Sequence, residues 1–174
     1  MDLIAERKAI EAALDAYRAE LDRLPDDEFD VTPPDGGWSF AEVYSHILQA
    51  TLGASIAAEK CARGTAPVTR KGLNFLGKLF MLLGRFPRIK SPAPQTATAI
   101  PVTKISKEEA RNIIIKCRRR VETIAPLIPE AKDHHRINHP RLGVLNARHW
   151  FKFMRVHLEH HLKQLKRIEK QLGI

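Results

Sequence analysis

The chain has 174 residues, of which 44% are hydrophobic and 28% charged, and its 29 Lys and Arg outnumber its 20 Asp and Glu. This length and composition indicate one soluble domain, predicted to span 1–174, and exclude a disordered or collagen-like chain. No apolar run approaches the roughly 20 residues of a membrane span, and no signal-peptide pattern opens the chain. We therefore expect no transmembrane segment and a cytoplasmic location. Cys61 and Cys117 form no Cys-x-x-Cys pair, and we interpret both as buried, reduced thiols.

Charge is distributed unevenly along the chain. Residues 1–35 carry 11 acids and 4 bases, whereas residues 60–107 carry ten bases and no acid. Such a field attracts nucleic acid, anionic lipid or small anions without selecting among them. Because the chain has only two Trp and two Tyr and no recognised nucleic-acid fold, we expect no nucleic-acid partner.

Apolar spacing predicts the first two long helices. The first 24 residues carry apolar side chains at spacings of three, four and six, which is typical of an amphipathic helix that ends before Pro25. Further on, Ser39 and Glu42 form a capping box, a pattern that marks a helix start. We predict that this second helix ends at Gly64 and presents His46 on its apolar face.

The stretch from 64 to 104 differs from the rest of the chain. It holds five of the eleven prolines and four of the nine glycines, which favours an irregular connection. Inside it, the basic and apolar piece 70–85 predicts a short helix within a long crossover between helices 2 and 3. We expect the apolar side of this piece to pack on the rest of the molecule.

Two further long helices follow the crossover. Ser106 with Glu109 makes a second capping box, and Pro126 stops the helix that begins there. Asn146 can cap the last helix, whose apolar face repeats at spacings of three and four: Trp150, Met154, His157, His161, Leu165, Ile168 and Leu172. No long segment alternates with period two, so we expect essentially no sheet. The fold class predicted is all-α, a four-helix bundle with one long crossover.

Three histidines interrupt apolar faces. His157 and His161 lie one turn apart on the last helix, and His46 lies on the second helix, which should pack against it. Neutral imidazoles at this spacing are a zinc-type ligand pair. A third imidazole from a neighbouring helix leaves a position open for water or substrate, as in catalytic metal sites. The alternative is three core histidines with ordinary hydrogen bonds.

The remaining histidines give weaker signals. His160 lies on the flank of the pair, and we interpret it as solvated. His149 occupies the first turn of the last helix, and we place it at the surface. The trio His134, His135 and His139 is interpreted as loop residues without a metal.

Two stretches carry a resemblance to a known family. Residues 37–47 contain Trp-Ser followed by His46, and residues 139–165 contain His-Pro, Gly-x-Leu, Trp and then His-x-x-His-His-x-x-Gln. Both patterns resemble the DinB-like superfamily of four-helix-bundle metalloenzymes, most closely a branch known only as a domain of unknown function. Mapped by motif, the resemblance implies a divalent metal on His46, His157 and His161.

The resemblance also implies a function class. Relatives include transferases and isomerases that use a low-molecular-weight thiol, so it implies a metal-dependent enzyme with a small-molecule substrate, a transferase or a hydrolase. Zn, Ni and Fe all suit imidazole ligands. The alternative is a non-enzymatic binding module with a vestigial metal site, whose basic amphipathic crossover 70–90 contacts an anionic membrane surface or a partner. Bundles of this kind often pair, and a homodimer is a further expectation.

Overall fold

The computed structural model describes residues 1–34, 36–86 and 102–174. Over these residues the chain is helical, with one small hairpin before the last helix. The helices are α1 Leu3–Arg23, α2 Phe40–Ala62, α3 Phe75–Leu83, α4 Lys107–Ile124 and α5 Ala147–Leu172. The hairpin strands are β1 Ile137–His139 and β2 Gly143–Leu145. The predicted four-helix bundle is confirmed, with α1, α2, α4 and α5 as its long helices.

The four long helices form a ring. α2 packs against α4 and α5, and α1 packs against the same two helices. Two buried tyrosines join three of them through the core, since the Tyr44 hydroxyl donates to the Tyr17 carbonyl (2.8 Å) and the Tyr17 hydroxyl to the Leu158 carbonyl (2.9 Å). These bonds satisfy hydroxyls that burial would otherwise leave unpaired. They fix the position of α2 along α5, the two helices that carry the three candidate histidines.

The predicted helix starts are confirmed in detail. Ser39 and Ser106 each cap a helix with both halves of a capping box, the first with Glu42 and the second with Glu109. Asn146 caps α5 by accepting from the His149 backbone N–H at 2.9 Å. These bonds satisfy helix-end N–H groups that have no partner within the helix.

The crossover between α2 and α4 contains the predicted short helix. α3 begins after Asn74, whose side chain accepts from the Gly77 N–H at 2.8 Å, and ends at Gly84, which has φ +61°. The expectation that its apolar side packs on the bundle is half right, because Phe80 is buried whereas Phe75 and Leu82 are exposed. Part of the predicted crossover surface 70–90 lies outside the described residues, which end at 86 on this side.

The expectation of essentially no sheet is wrong for residues 137–145. β1 and β2 pair antiparallel, with Ile137 opposite Leu145 and His139 opposite Gly143. Three residues are too few to show a period of two, so no alternation signals these strands. The crossover also stabilises the hairpin, because the Val144 N–H donates a hydrogen bond to the Gly72 carbonyl at 3.0 Å. The crossover therefore docks on the hairpin.

Both cysteines are free and buried, as predicted. Burial raises the pKa of Cys61 to about 11 and that of Cys117 to about 12. Both thiols therefore stay protonated at neutral pH. Among the described residues, no helix combines the length and the apolar character that crossing a bilayer requires.

Candidate metal centre

α2 and α5 pack along each other and bring the three predicted histidines together. One ring nitrogen from each of His46, His157 and His161 lies within 4.8 Å of those of the other two. The ring centroids are 4.7 to 5.2 Å apart. His157 and His161 meet because a spacing of four residues stacks side chains on one helix face. His46 completes the cluster from the opposite helix.

The cluster lies at the inner edge of the core. His157 is 8% exposed and His161 7%, and His46 is half-buried. Two carboxylates on the same helices make other contacts. Glu159 pairs with Arg155 (2.8 Å), and Glu42 closes the α2 capping box. Within the described residues, the set of candidate ligands contains nitrogen donors alone.

One hydrogen bond orients the His161 ring. Its Nδ1 lies 2.7 Å from the Oε1 of Gln164, one turn further along α5. An amide oxygen only accepts, which assigns the proton to Nδ1 and leaves a lone pair on Nε2. That Nε2 lies 3.0 Å from the Nε2 of His157. Gln164 thus turns one ligand nitrogen toward the centre of the cluster.

Two nitrogens of the cluster are buried without a partner. Nδ1 of His46 and Nδ1 of His157 accept and donate no hydrogen bond within the described structure. A buried polar group left unpaired costs about 1–3 kcal/mol of stability. His149 Nδ1 and Trp150 Nε1, outside the cluster, are unpaired in the same way, so the convergence of the three ring nitrogens is the observation that fits imidazoles arranged to hold an ion.

Burial keeps all three imidazoles neutral. It lowers the pKa of His161 to about 3, and the adjacent His46 and His160 act in the same direction. Burial likewise lowers the pKa of His157 well below its ordinary value, and that of His46 is lowered by burial and by His160. Neutral imidazole is the form that binds a metal ion, so no proton has to leave at neutral pH.

Aromatic rings surround the cluster. Trp38 packs on His46 with centroids 5.0 Å apart, and Phe153 stacks on His157 at 4.9 Å. Phe86, three residues after the end of α3, lies 5.8 Å from the His157 ring. These rings replace water around the nitrogens, and low polarity strengthens any electrostatic contact made there.

Comparison with known proteins identifies the family. The DinB superfamily profile matches residues 9–165. The chain belongs to the DinB superfamily. This confirms the resemblance drawn from the sequence. No curated protein matches the chain.

Two solved structures are similar to this DinB-superfamily chain. One is TT2238, a four-helix bundle protein, with a TM-score of 0.58 and 17% identity over 95% of this chain and 98% of that one. The other is YfiT from Bacillus subtilis, described as "a probable metal-dependent hydrolase with an unusual four-helix bundle topology". It matches with a TM-score of 0.62 and 14% identity over 98% of this chain and 87% of that one. Identities this low establish the fold alone.

The loop histidines of this DinB-superfamily chain do not join the cluster. His139 lies in β1, and its Nδ1 accepts from the N–H groups of Arg141 and Leu142, both at 3.2 Å. Nδ1 of His135 lies 2.8 Å from the Ala66 carbonyl oxygen. His134 is exposed. Two of the three therefore shape the backbone around the hairpin.

The two histidines on the flank of α5 differ from each other. His160 is exposed, as predicted, and rests against Phe86 at a centroid distance of 4.7 Å. His149 was predicted at the surface, and this is wrong, because its Nδ1 is buried without a partner. The residue as a whole is half-buried.

Sequence analysis did not assign the residues that support the cluster. Gln164 follows His161 by three residues and Phe153 precedes His157 by four, and both spacings place side chains one helical turn apart. Those spacings are readable signals, but they do not say which neighbour turns toward the ring. Trp38 lies just before the α2 cap, and only the path of the chain brings it onto His46.

Proposed function

We propose that this chain is a metal-dependent enzyme that acts on a small molecule, with a divalent ion held by His46, His157 and His161. The observation that carries the proposal is the set of three neutral imidazoles whose nitrogens converge within 4.8 Å. Two of the three rings, those of His157 and His161, lie within the core with their Nε2 atoms 3.0 Å apart.

The donor set favours a particular group of ions. Imidazole suits Zn, Ni and Fe, and all-nitrogen sites without carboxylate disfavour Mg and Ca. Three protein ligands leave coordination positions free, as in catalytic rather than structural sites. When bound, a divalent ion with three neutral ligands lowers the pKa of a thiol or water molecule placed beside it.

We propose a low-molecular-weight thiol as the nucleophile, and hence a transferase. The chain's own cysteines do not fill this role, since both are buried with a raised pKa. A thiol would therefore have to arrive from solution. Hydrolysis is the second candidate, favoured by the description of YfiT as a probable metal-dependent hydrolase.

The protein's residues would divide the remaining work. Gln164 holds the His161 ring so that Nε2 faces the cluster. Phe153 and Trp38 exclude water from the sides of the His157 and His46 rings. No proton-transfer residue is assigned, because no carboxylate of the described chain belongs to the cluster.

Metal content is the experiment that tests this proposal. We expect about one equivalent of metal in protein purified without a histidine tag, and loss of that metal in His157→Ala and His161→Ala. His134→Ala is the matched control, because it removes an exposed histidine outside the cluster. Circular dichroism checks that each variant folds. Parent protein that takes up none of Zn, Ni, Fe and Mn on titration would overturn the proposal and leave a binding module with a vestigial site.

A second measurement separates the two reaction classes. We expect calorimetric titration with a small thiol to give binding heat with metal-loaded protein and none with metal-free protein. Turnover of an electrophile should then require the thiol. Hydrolysis of an ester or amide at the same rate without any thiol would establish the hydrolase instead.

Three further properties belong to this proposal. We propose that residues 1–174 act as one domain, that the enzyme works in the cytoplasm, and that it forms a homodimer. Light scattering after size-exclusion chromatography tests the last of these, since a particle of 19.7 kDa would be a monomer.

A further inference from the structure

One surface of the molecule exposes large apolar side chains. Phe75 is 81% exposed and Leu82 82%, and Leu83 beside them is 42% exposed. Phe75 and Leu82 are seven residues apart, so they lie on the same side of α3, two turns from each other. With Lys78 between them, they form what we call the α3 outer face: Phe75, Lys78, Leu82 and Leu83.

The exposure of this face is built into the fold. α3 is held by its opposite side, where Phe80 is fully buried and packs on Phe86 and Phe153 with centroids 4.9 and 6.0 Å apart. Gly77 lies against the Leu142 carbonyl so closely that no larger residue fits. The outer side chains therefore cannot turn inward by rolling the helix.

Hydrogen bonds anchor the same helix at both ends. The side-chain N–H of Asn74 donates to the Arg141 carbonyl at 2.9 Å, while its oxygen caps α3. Near the other end, Lys152 of α5 donates to the Met81 carbonyl at 2.9 Å. A rigid helix that presents apolar side chains to solvent loses little conformational freedom on docking.

The charged residues that α3 and the segments flanking it contribute to this face all carry positive charge. Lys78 and Arg85 are exposed on α3 and just beyond it, and Arg70 and Lys71 are exposed just before it. No acidic residue occurs between 60 and 107. The hairpin below adds Arg141, which is also exposed. The crossover and the hairpin thus flank the apolar side chains with cations, and the glutamates at the end of α3, Glu6 and Glu159, are paired with Arg155.

We propose that the α3 outer face docks on an anionic phospholipid bilayer. Phe75 and Leu82 would enter the boundary between headgroups and acyl chains, as apolar side chains of interfacial helices do. The surrounding Lys and Arg would contact the anionic headgroups, and each one near the surface strengthens binding about fivefold. This surface is separate from the metal proposal, because none of its residues belongs to the histidine cluster.

Charge also argues against a second copy of the chain as the occupant. A twofold contact through this face would set Lys78 and Arg85 against the same cations of the partner. Like charges brought together at an interface are unfavourable. The face is moreover a single ridge nine residues long, which is small for a stable protein interface.

Vesicle co-sedimentation tests the proposal. We expect the protein to bind vesicles of phosphatidylcholine mixed with phosphatidylglycerol and not to bind vesicles of pure phosphatidylcholine. The bound protein should dissociate from the vesicles as the salt concentration rises. The double variant Phe75→Ser with Leu82→Ser should bind at least tenfold more weakly, and Lys78→Gln about fivefold. Ile4→Ser is the matched control, because Ile4 is 71% exposed on α1 at a distant part of the chain.

Each contrary outcome has a clear meaning. Absence of binding to anionic vesicles, or equal binding to both vesicle types without salt dependence, would overturn the proposal. The proposal would also be overturned if light scattering shows a dimer that becomes a monomer in the Leu82→Ser variant, because the α3 outer face would then bind a second copy of the chain. Metal content and circular dichroism of the variants should match those of the parent, which keeps this test independent of the metal centre.

Discussion

A folded chain usually buries apolar side chains and exposes polar ones, and the histidine cluster and the α3 outer face break this rule in opposite ways. The cluster buries polar nitrogens, two of them without a partner, inside an apolar core. The α3 outer face leaves Phe75 and Leu82 in solvent although nearby α3 positions are buried. Each departure costs stability, and such costs are retained mainly where function needs them. The comparison therefore supports testing the two regions separately, one for metal binding and the other for membrane binding.

The two regions are nevertheless neighbours in the packing. Phe153 of α5 stacks on His157 on one side and packs on Phe80 of α3 on the other. Phe86 contacts both Phe80 and His157. A substitution meant to affect only one of the two regions must therefore be placed either on the buried side of α3 or on its exposed side.

The largest expected effect comes from the buried side of α3. Phe80→Ala removes a fully buried ring and should lower the free energy of unfolding by about 3–5 kcal/mol. Phe75→Ala, on the same helix, should change it by less than about 0.5 kcal/mol. Urea denaturation of both variants measures the difference. Similar losses in the two variants would mean that Phe75 is covered in solution.

The second effect concerns pH and the metal-free protein. The pKa of His161 is lowered to about 3 in the folded chain, and that of His157 is also lowered, whereas an unfolded histidine titrates near 6.5. Their contribution to stability is complete above pH 6.5 and is lost as the pH falls toward the folded pKa. We expect about 2 kcal/mol less stability from His161 at pH 5, and a further loss in the same direction from His157. Denaturation of metal-free protein at pH 7.5 and pH 5 checks this.

The variant His161→Gln provides the control for that pH dependence. It removes one titrating group from the pair, so the loss between pH 7.5 and pH 5 should shrink by about 2 kcal/mol. An unchanged loss would assign the pH dependence to other groups.

The third effect separates stability from function at the cluster. His157→Leu replaces an imidazole that has a buried, unpartnered nitrogen with an apolar side chain. We expect the metal-free protein to gain about 1–2 kcal/mol of stability and to lose metal binding entirely. Denaturation in the presence of a chelator, with His134→Leu as the exposed control, measures this. A loss of stability instead would mean that the contact between His157 Nε2 and His161 Nε2 stabilises the fold by more than the unpaired Nδ1 costs.

The sequence predicts the features of this fold that depend on nearby residues. Capping boxes at Ser39 and Ser106 and the pair His157 and His161 each lie within one or two helical turns, so spacing alone reveals them. His46 is predictable because its neighbours define an apolar face. The family resemblance added the assignment of these three histidines as metal ligands.

The features that sequence reasoning missed depend on contacts between distant segments. The hairpin is completed by Gly72, whose carbonyl accepts from the Val144 N–H. The rotation of α3 about its axis depends on Gly77 fitting against Leu142, so apolar content alone could not show that Phe80 would be buried while Phe75 and Leu82 stay exposed. His149 is half-buried with its Nδ1 enclosed, which its position in the first turn of α5 did not reveal.

The last expected effect leaves the metal ligands in place and tests how far the cluster depends on its support. Gln164→Leu removes the acceptor that holds Nδ1–H of His161, and loss of such a support typically weakens metal affinity 10- to 100-fold. Gln164→Glu keeps an acceptor oxygen at the same place and should retain most of the affinity. Competition with a chromophoric chelator measures both variants. Because Gln164 is half-buried and outside the ligand set, the pair changes ring orientation without removing a ligand. Equal affinities would show that packing against the core, rather than this hydrogen bond, orients the His161 ring.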